Sequence, residues 1–82
     1  MTEKEIIDLV QRTLFAIAPE FEGETIEQDT AFRDQFEIDS MDFLNFIIAL
    51  HKATGINIPE ADYPLLETLN GCIAYIQKKS PA

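Results

Sequence analysis

Eighty-two residues, 46% of them hydrophobic, with no tryptophan, 3 glycines and 4 prolines, describe one small globular domain over 1–82 and not a disordered chain, and at this length every helix must feed a single core. The net charge of −9 argues against nucleic acid or anionic membrane surfaces as partners, because phosphate attracts clusters of Lys and Arg that are absent here; a basic protein surface is the natural complement. A single cysteine, Cys72, rules out an internal disulfide, no apolar run reaches the length of a membrane span, and the opening Met-Thr-Glu-Lys-Glu lacks the basic start of a signal peptide, so a cytoplasmic, reducing setting is expected.

Thr2 and Glu5 stand at capping-box spacing, and Ile6, Val10, Leu14 and Ile17 follow at helical intervals with Ile7 and Ala18 beside them. This predicts helix I over 3–18, with Asp8, Gln11, Arg12 and Thr13 as solvated surface and Pro19 as its stop. Residues 19–38 keep no helical or strand period. Phe21, Ile26, Phe32 and Phe36 are expected to pin this long loop to the core, each worth roughly 1.5–3 kcal/mol if buried. Nine of the 15 acidic residues lie between Glu20 and Asp42, with only Arg33 to offset them. Asp29, Asp34 and Asp39 lack calcium-loop spacing, and no glycine stands at the required bend, so no metal site is predicted.

The central stretch reads Glu37-Ile38-Asp39-Ser40-Met41-Asp42-Phe43-Leu44-Asn45-Phe46-Ile47-Ile48-Ala49-Leu50. Helix II is predicted over 40–53, capped by Asp39 or Ser40, favoured by the charge of Asp42 and stopped at Thr54-Gly55. Phe43, Phe46, Ile47 and Leu50 form one apolar stripe; Met41, Leu44 and Ile48 form a second. Ile56-Asn57-Ile58 alternates but is too short for a strand. A short third helix, interrupted by Pro64, is expected over 60–66. Thr68 caps a last helix reaching 79, with Leu69, Ile73 and Ile76 inward, Cys72 a buried filler, and Lys78 and Lys79 at its negative end; Ser80-Pro81-Ala82 is expected to fray. The predicted fold is all-α, a small monomeric four-helix bundle of three long helices and a short third, with a long loop between helices I and II.

The Ser40 hydroxyl at a helix mouth has two readings: a simple cap, or a group whose phosphate ester would lie near unpaired backbone donors. A nucleophile is disfavoured. The one histidine, His51, is eleven residues on along the same helix, roughly 16 Å at 1.5 Å per residue, beyond the reach that a serine and its base require. No Gly-x-Ser-x-Gly elbow, phosphate loop or zinc ligand set is present, so the chain is not expected to be an enzyme. The second apolar stripe is either buried with the first or left exposed beside acids as a binding face.

The run Ala31-Phe32-Arg33-Asp34-Gln35-Phe36-Glu37-Ile38-Asp39-Ser40-Met41-Asp42-Phe43-Leu44-Asn45-Phe46 resembles the signature of acyl carrier proteins, and the likeness extends to Gly55-Ile56-Asn57-Ile58-Pro59-Glu60 and to residues 68–76. The resemblance implies 4'-phosphopantetheine on Ser40 through a phosphodiester, acyl groups carried as thioesters on its thiol, and a role for Asp39 in orienting the transferase and its metal ion. It further implies that Phe43, Phe46, Ile47 and Leu50 face the core and acyl chain. Met41, Leu44 and Ile48, with Glu37 and Asp42, would then meet a phosphopantetheinyl transferase and acyl-transfer or synthesis enzymes through basic docking surfaces. The chain departs from the pattern at Glu37, where glycine is usual, at Met41, where leucine is usual, and at Asn45, His51 and Lys52, which are commonly acidic in fatty-acid carriers. These departures point to a specialised carrier in fatty-acid, lipid or secondary-metabolite synthesis. Peptidyl or aminoacyl carriers share the architecture, and an unmodified acidic helical interaction module is the alternative from another class.

Overall fold

The computed structural model describes residues 1–79; the fraying expected of Ser80-Pro81-Ala82 lies outside them. Helix α1 (Glu3–Ile17) begins with the predicted capping box: the Thr2 amide donates to Glu5 Oε1 at 2.8 Å and the Glu5 amide to Thr2 Oγ1 at 3.2 Å. Those bonds, the backbone one first, hold the Glu5 carboxyl below its ordinary pKa. The helix ends one residue before the predicted boundary. Ala18 caps it, its amide donating to Leu14 O at 2.9 Å, and Pro19 opens a 3₁₀ turn, Pro19–Phe21. One position departs from expectation: Thr13, read as surface, is buried with Ile6, Leu9, Val10 and Leu14. It follows Leu9 by four and Val10 by three, so it shares their face.

The long connection is ordered by specific bonds. Ile26, Phe32 and Phe36 are buried, and Phe21 packs on Phe36 with ring centroids 5.2 Å apart. A four-residue helix, α2 (Phe32–Gln35), forms within it; a helix this short has no sustained period to reveal it. Gln35 binds the loop to itself: its Oε1 accepts from the Glu27 amide at 2.8 Å, while Nε2 donates to Glu27 O at 3.0 Å and Thr30 O at 2.8 Å. The Phe32 amide donates to Glu67 O at 2.8 Å, the Asn70 amide to Gln28 O at 3.0 Å, and the Asn70 side chain to Asp29. The loop is thereby tied to the start of the last helix.

Helix α3 (Ser40–Thr54) ends at Gly55, which takes the left-handed φ of +73° that a side chain resists. After Pro59, residues Glu60–Leu66 form a 3₁₀ segment containing Pro64, the expected third element. Helix α4 (Leu69–Lys79) is capped by Thr68, whose Oγ1 accepts from the Gly71 amide at 3.0 Å. Helix α1 packs on α3 and α4, and the 3₁₀ segment packs on α4. The core holds Ile6, Val10 and Leu14 of α1, Phe46 and Leu50 of α3, Leu66, and Cys72 and Ile76 of α4. Cys72 is the expected filler; desolvation pushes its thiol up to about 12. The result is the predicted all-helical bundle, with no strand among the described residues.

Candidate functional site

The approach to α3 begins at Phe36 and Ile38, which are both buried while Glu37 between them is exposed. Glu37 is the one non-glycine residue with positive φ, +49°, among those described. The position where the related pattern has glycine therefore does take the left-handed turn, and here a side chain is carried through it. The next residues settle the cap. Asp39 is extended, and its Oδ1 accepts from the Asp42 amide at 2.8 Å, while Asp42 Oδ2 accepts from the Asp39 amide at 3.4 Å. With Asp39 filling the capping role, Ser40 is the first helical residue, exposed, its hydroxyl free of the cap.

Among the described residues that hydroxyl has one protein partner: Nη2 of Arg33, in α2, donates to Ser40 Oγ at 3.3 Å. Ser40 and Arg33 share a groove of about 410 Å³ with Phe43, Leu44, Glu60, Tyr63, Pro64 and Glu67. Its apolar wall is Phe43 and Leu44 on one side and Tyr63 and Pro64 on the other, the Phe43 and Tyr63 rings meeting edge to face at 6.4 Å. Tyr63 also lines a smaller groove of about 170 Å³ with Ile47, Ile48, His51, Asn57 and Ile58. Arg33, Glu60, Tyr63 and Glu67 were not picked out by motif. The isolation of Arg33 as the one cation in an acidic run was the signal available for it; the other three reach the site only through the packing of the 3₁₀ segment and of Glu67, which caps its end.

The two stripes of α3 separate. Phe43, Phe46, Ile47 and Leu50 are buried, whereas Met41, Leu44 and Ile48 are 66%, 37% and 42% exposed, so the possibility that all seven are buried does not hold. Met41, Leu44 and Ile48 lie on the outer face, beside exposed Glu37 and Asp39 at its head. His51 plays no part near Ser40: its Nδ1 lies 2.7 Å from Ile56 O, at the far end of α3. An exposed hydroxyl, a guanidinium on it and an apolar groove leading away suit a phosphodiester joined to a long, largely uncharged arm.

Comparison with known proteins agrees. Residues 5–76 match the family model described as the phosphopantetheine attachment site. The chain is 31% identical over 77 residues to an acyl carrier protein of Thermobifida fusca, covering 94% of this chain and 96% of that one, and 29% identical over 77 residues to an acyl carrier protein of Lactobacillus acidophilus, covering 94% and 95%. Its fold superposes on the solved acyl carrier protein from Enterococcus faecalis with a TM-score of 0.74, at 24% identity, over 98% of this chain and 100% of that one. The chain belongs to the acyl carrier protein family, whose members bear a covalently attached 4'-phosphopantetheine group and act as carriers for synthesis and acyl-transfer enzymes.

Proposed function

We propose that Ser40 is the attachment residue and that the protein is a cytoplasmic, monomeric carrier with a dedicated set of enzymes in fatty-acid, lipid or secondary-metabolite synthesis. The observation that supports this most is the exposed Ser40 hydroxyl at the first position of α3, released from capping by Asp39. Asp39, exposed and fixed by its exchange with Asp42, is the residue we assign to orienting the transferase and its metal ion. When attached, the prosthetic group supplies a thiol that holds acyl groups as thioesters; the chain supplies orientation and recognition.

Met41, Leu44 and Ile48, flanked by Glu37 and Asp42, form the docking face for the transferase and the synthesis enzymes, the acids drawing in basic surfaces at long range. Phe43 is the core residue that also lines the groove beside Ser40. An acyl chain following that groove inward would pass Phe43 toward Phe46, Ile47 and Leu50 by parting α3 from the 3₁₀ segment. Polar or basic residues Asn45, His51 and Lys52 give α3 an acidic front and a non-acidic rear, which supports partners chosen to match.

Incubation with coenzyme A, Mg²⁺ and a phosphopantetheinyl transferase, read by intact mass, tests the assignment. One added arm is expected on the wild type and none on Ser40→Ala. A wild-type mass that never changes would favour the unmodified interaction module instead. A thioester bearing an amino acid, found on protein purified from its host, would replace acyl cargo with aminoacyl or peptidyl cargo.

A further inference from the structure

Arg33 is the only cation between Glu20 and Asp42, a segment with nine acidic residues. Coulomb attraction in such a field favours a carboxylate partner, yet among the described residues the one ion pair within 4.0 Å joins Arg12 to Asp8. Arg33 turns instead to Ser40 Oγ, at 3.3 Å. The backbone beneath it is fixed: Phe32 is fully buried and its amide is bonded to Glu67 O at 2.8 Å. The head is exposed. A neutral hydroxyl engages one of the five guanidinium N–H donors and makes little use of its charge.

We propose that Arg33 anchors the phosphodiester of the arm once the arm is joined to Ser40, and so directs its first bonds into the groove walled by Phe43, Leu44, Tyr63 and Pro64. The proposal rests on the reading of Ser40 as the attachment residue. An anion esterified to Oγ lies one bond beyond the atom that Nη2 already contacts, and the planar fork of a guanidinium matches two phosphate oxygens. It would also enter a neighbourhood that already holds Asp39 at the cap of α3, Asp42 in its first turn, and Glu60 and Glu67 on the groove wall. Arg33 is the cation that offsets the resulting like-charge repulsion. Arg33 is a positioning residue here, since the transfer chemistry belongs to the enzymes that visit the arm.

The test uses apo and fully loaded forms of the wild type, Arg33→Ala and Arg33→Lys, prepared with a broad-specificity transferase and checked by intact mass. Loaded wild type is expected to melt about 2–6 °C above its apo form, with the gain shrinking as salt rises from about 50 mM to about 500 mM. In Arg33→Ala the gain vanishes while the apo form melts close to apo wild type, and the ³¹P resonance of the phosphodiester moves. Arg33→Lys, which keeps the charge without the fork, retains part of the gain. Equal apo-to-loaded gains and coincident ³¹P resonances in wild type and Arg33→Ala would overturn the anchor alone, as would an equal loss in apo and loaded forms, the mark of a purely structural contact. A wild type that accepts no arm would overturn the Ser40 assignment and the anchor together.

Discussion

Tyr75 of α4 donates its hydroxyl to Asp62 Oδ2 of the 3₁₀ segment at 2.7 Å, and this bond joins the last helix to the element that walls the groove beside Ser40. The ring is buried while the hydroxyl reaches outward to Asp62, and Lys79 Nζ lies 5.7 Å from the ring centroid. Tyr75→Phe should cost about 1 kcal/mol, the net worth of one hydrogen bond to a charged acceptor that water can partly replace. For a domain of this size that is a fall of about 4–8 °C in melting temperature.

The same contact sets an alkaline limit on stability. Burial first, then the bond to Asp62 and its charge, push the Tyr75 phenol from 10.0 up to about 12, and burial pushes the Cys72 thiol from 9.0 up to about 12. Both groups hold their protons longer folded than unfolded, so the unfolded chain loses protons first as pH rises. Their contribution is fully present below pH 9 for Cys72 and below pH 10 for Tyr75, and is lost as pH climbs through about 12. Urea unfolding across that window should therefore show falling stability that is shallower in the double variant Tyr75→Phe, Cys72→Ala. An identical alkaline slope in the two proteins would contradict this account.

The two stripes of α3 should respond oppositely to truncation. Phe46 is fully buried and its ring meets Phe32 at 5.3 Å, so Phe46→Ala should cost about 3–5 kcal/mol, a large share of the roughly 5–15 kcal/mol that holds a domain folded. Ile48→Ala, on the outer face, should change stability by less than about 0.5 kcal/mol. On the proposal that this face docks the transferase, kcat/KM for loading should drop about 5-fold, the equivalent of about 1 kcal/mol of lost apolar contact. Thermal melts and loading kinetics on the two variants separate the roles.

Glu37 carries a φ of +49°. A β-carbon in the left-handed region costs about 1–2 kcal/mol, whereas glycine pays chiefly through the freedom of the unfolded chain, about 0.4–1 kcal/mol. Glu37→Gly should accordingly stabilise the protein by about 0.5–1 kcal/mol. Glu37→Gln, which removes the charge and keeps the β-carbon, should stay within about 0.5 kcal/mol of wild type. Were the glutamine variant to gain as much as the glycine one, repulsion among the acids and not backbone strain would be the cause.

Gly71 permits a close approach. A β-carbon there would sit 2.1 Å from Leu65 O, a backbone atom that cannot swing aside as a side chain does. Gly71→Ala should push α4 off the 3₁₀ segment at a cost of about 1–3 kcal/mol, and the displacement should appear as amide shift changes at Leu65, Leu66 and Tyr75 in a two-dimensional NMR spectrum. A melting temperature equal to or above wild type would show that the two elements are less tightly fitted.

The parts of this protein written into short stretches of sequence are those governed by neighbours within about one helical turn. Thr2 with Glu5 begins α1, Gly55 ends α3 and Thr68 begins α4, because caps and left-handed stops are made by residues three or four apart. The signature around Ser40 is local in the same sense. Sequence also displayed two greasy stripes on α3, but had no means of choosing between them, since both have helical period; the choice was made by the packing of α1 against α3, of Phe32 against Phe46 and of Tyr63 against Phe43. Tertiary structure alone placed Arg33 on the Ser40 hydroxyl, brought Tyr63 opposite Phe43 and buried Thr13. Each of these depends on where distant segments come to rest, and that is fixed by packing the whole core at once rather than by any pattern a few residues long.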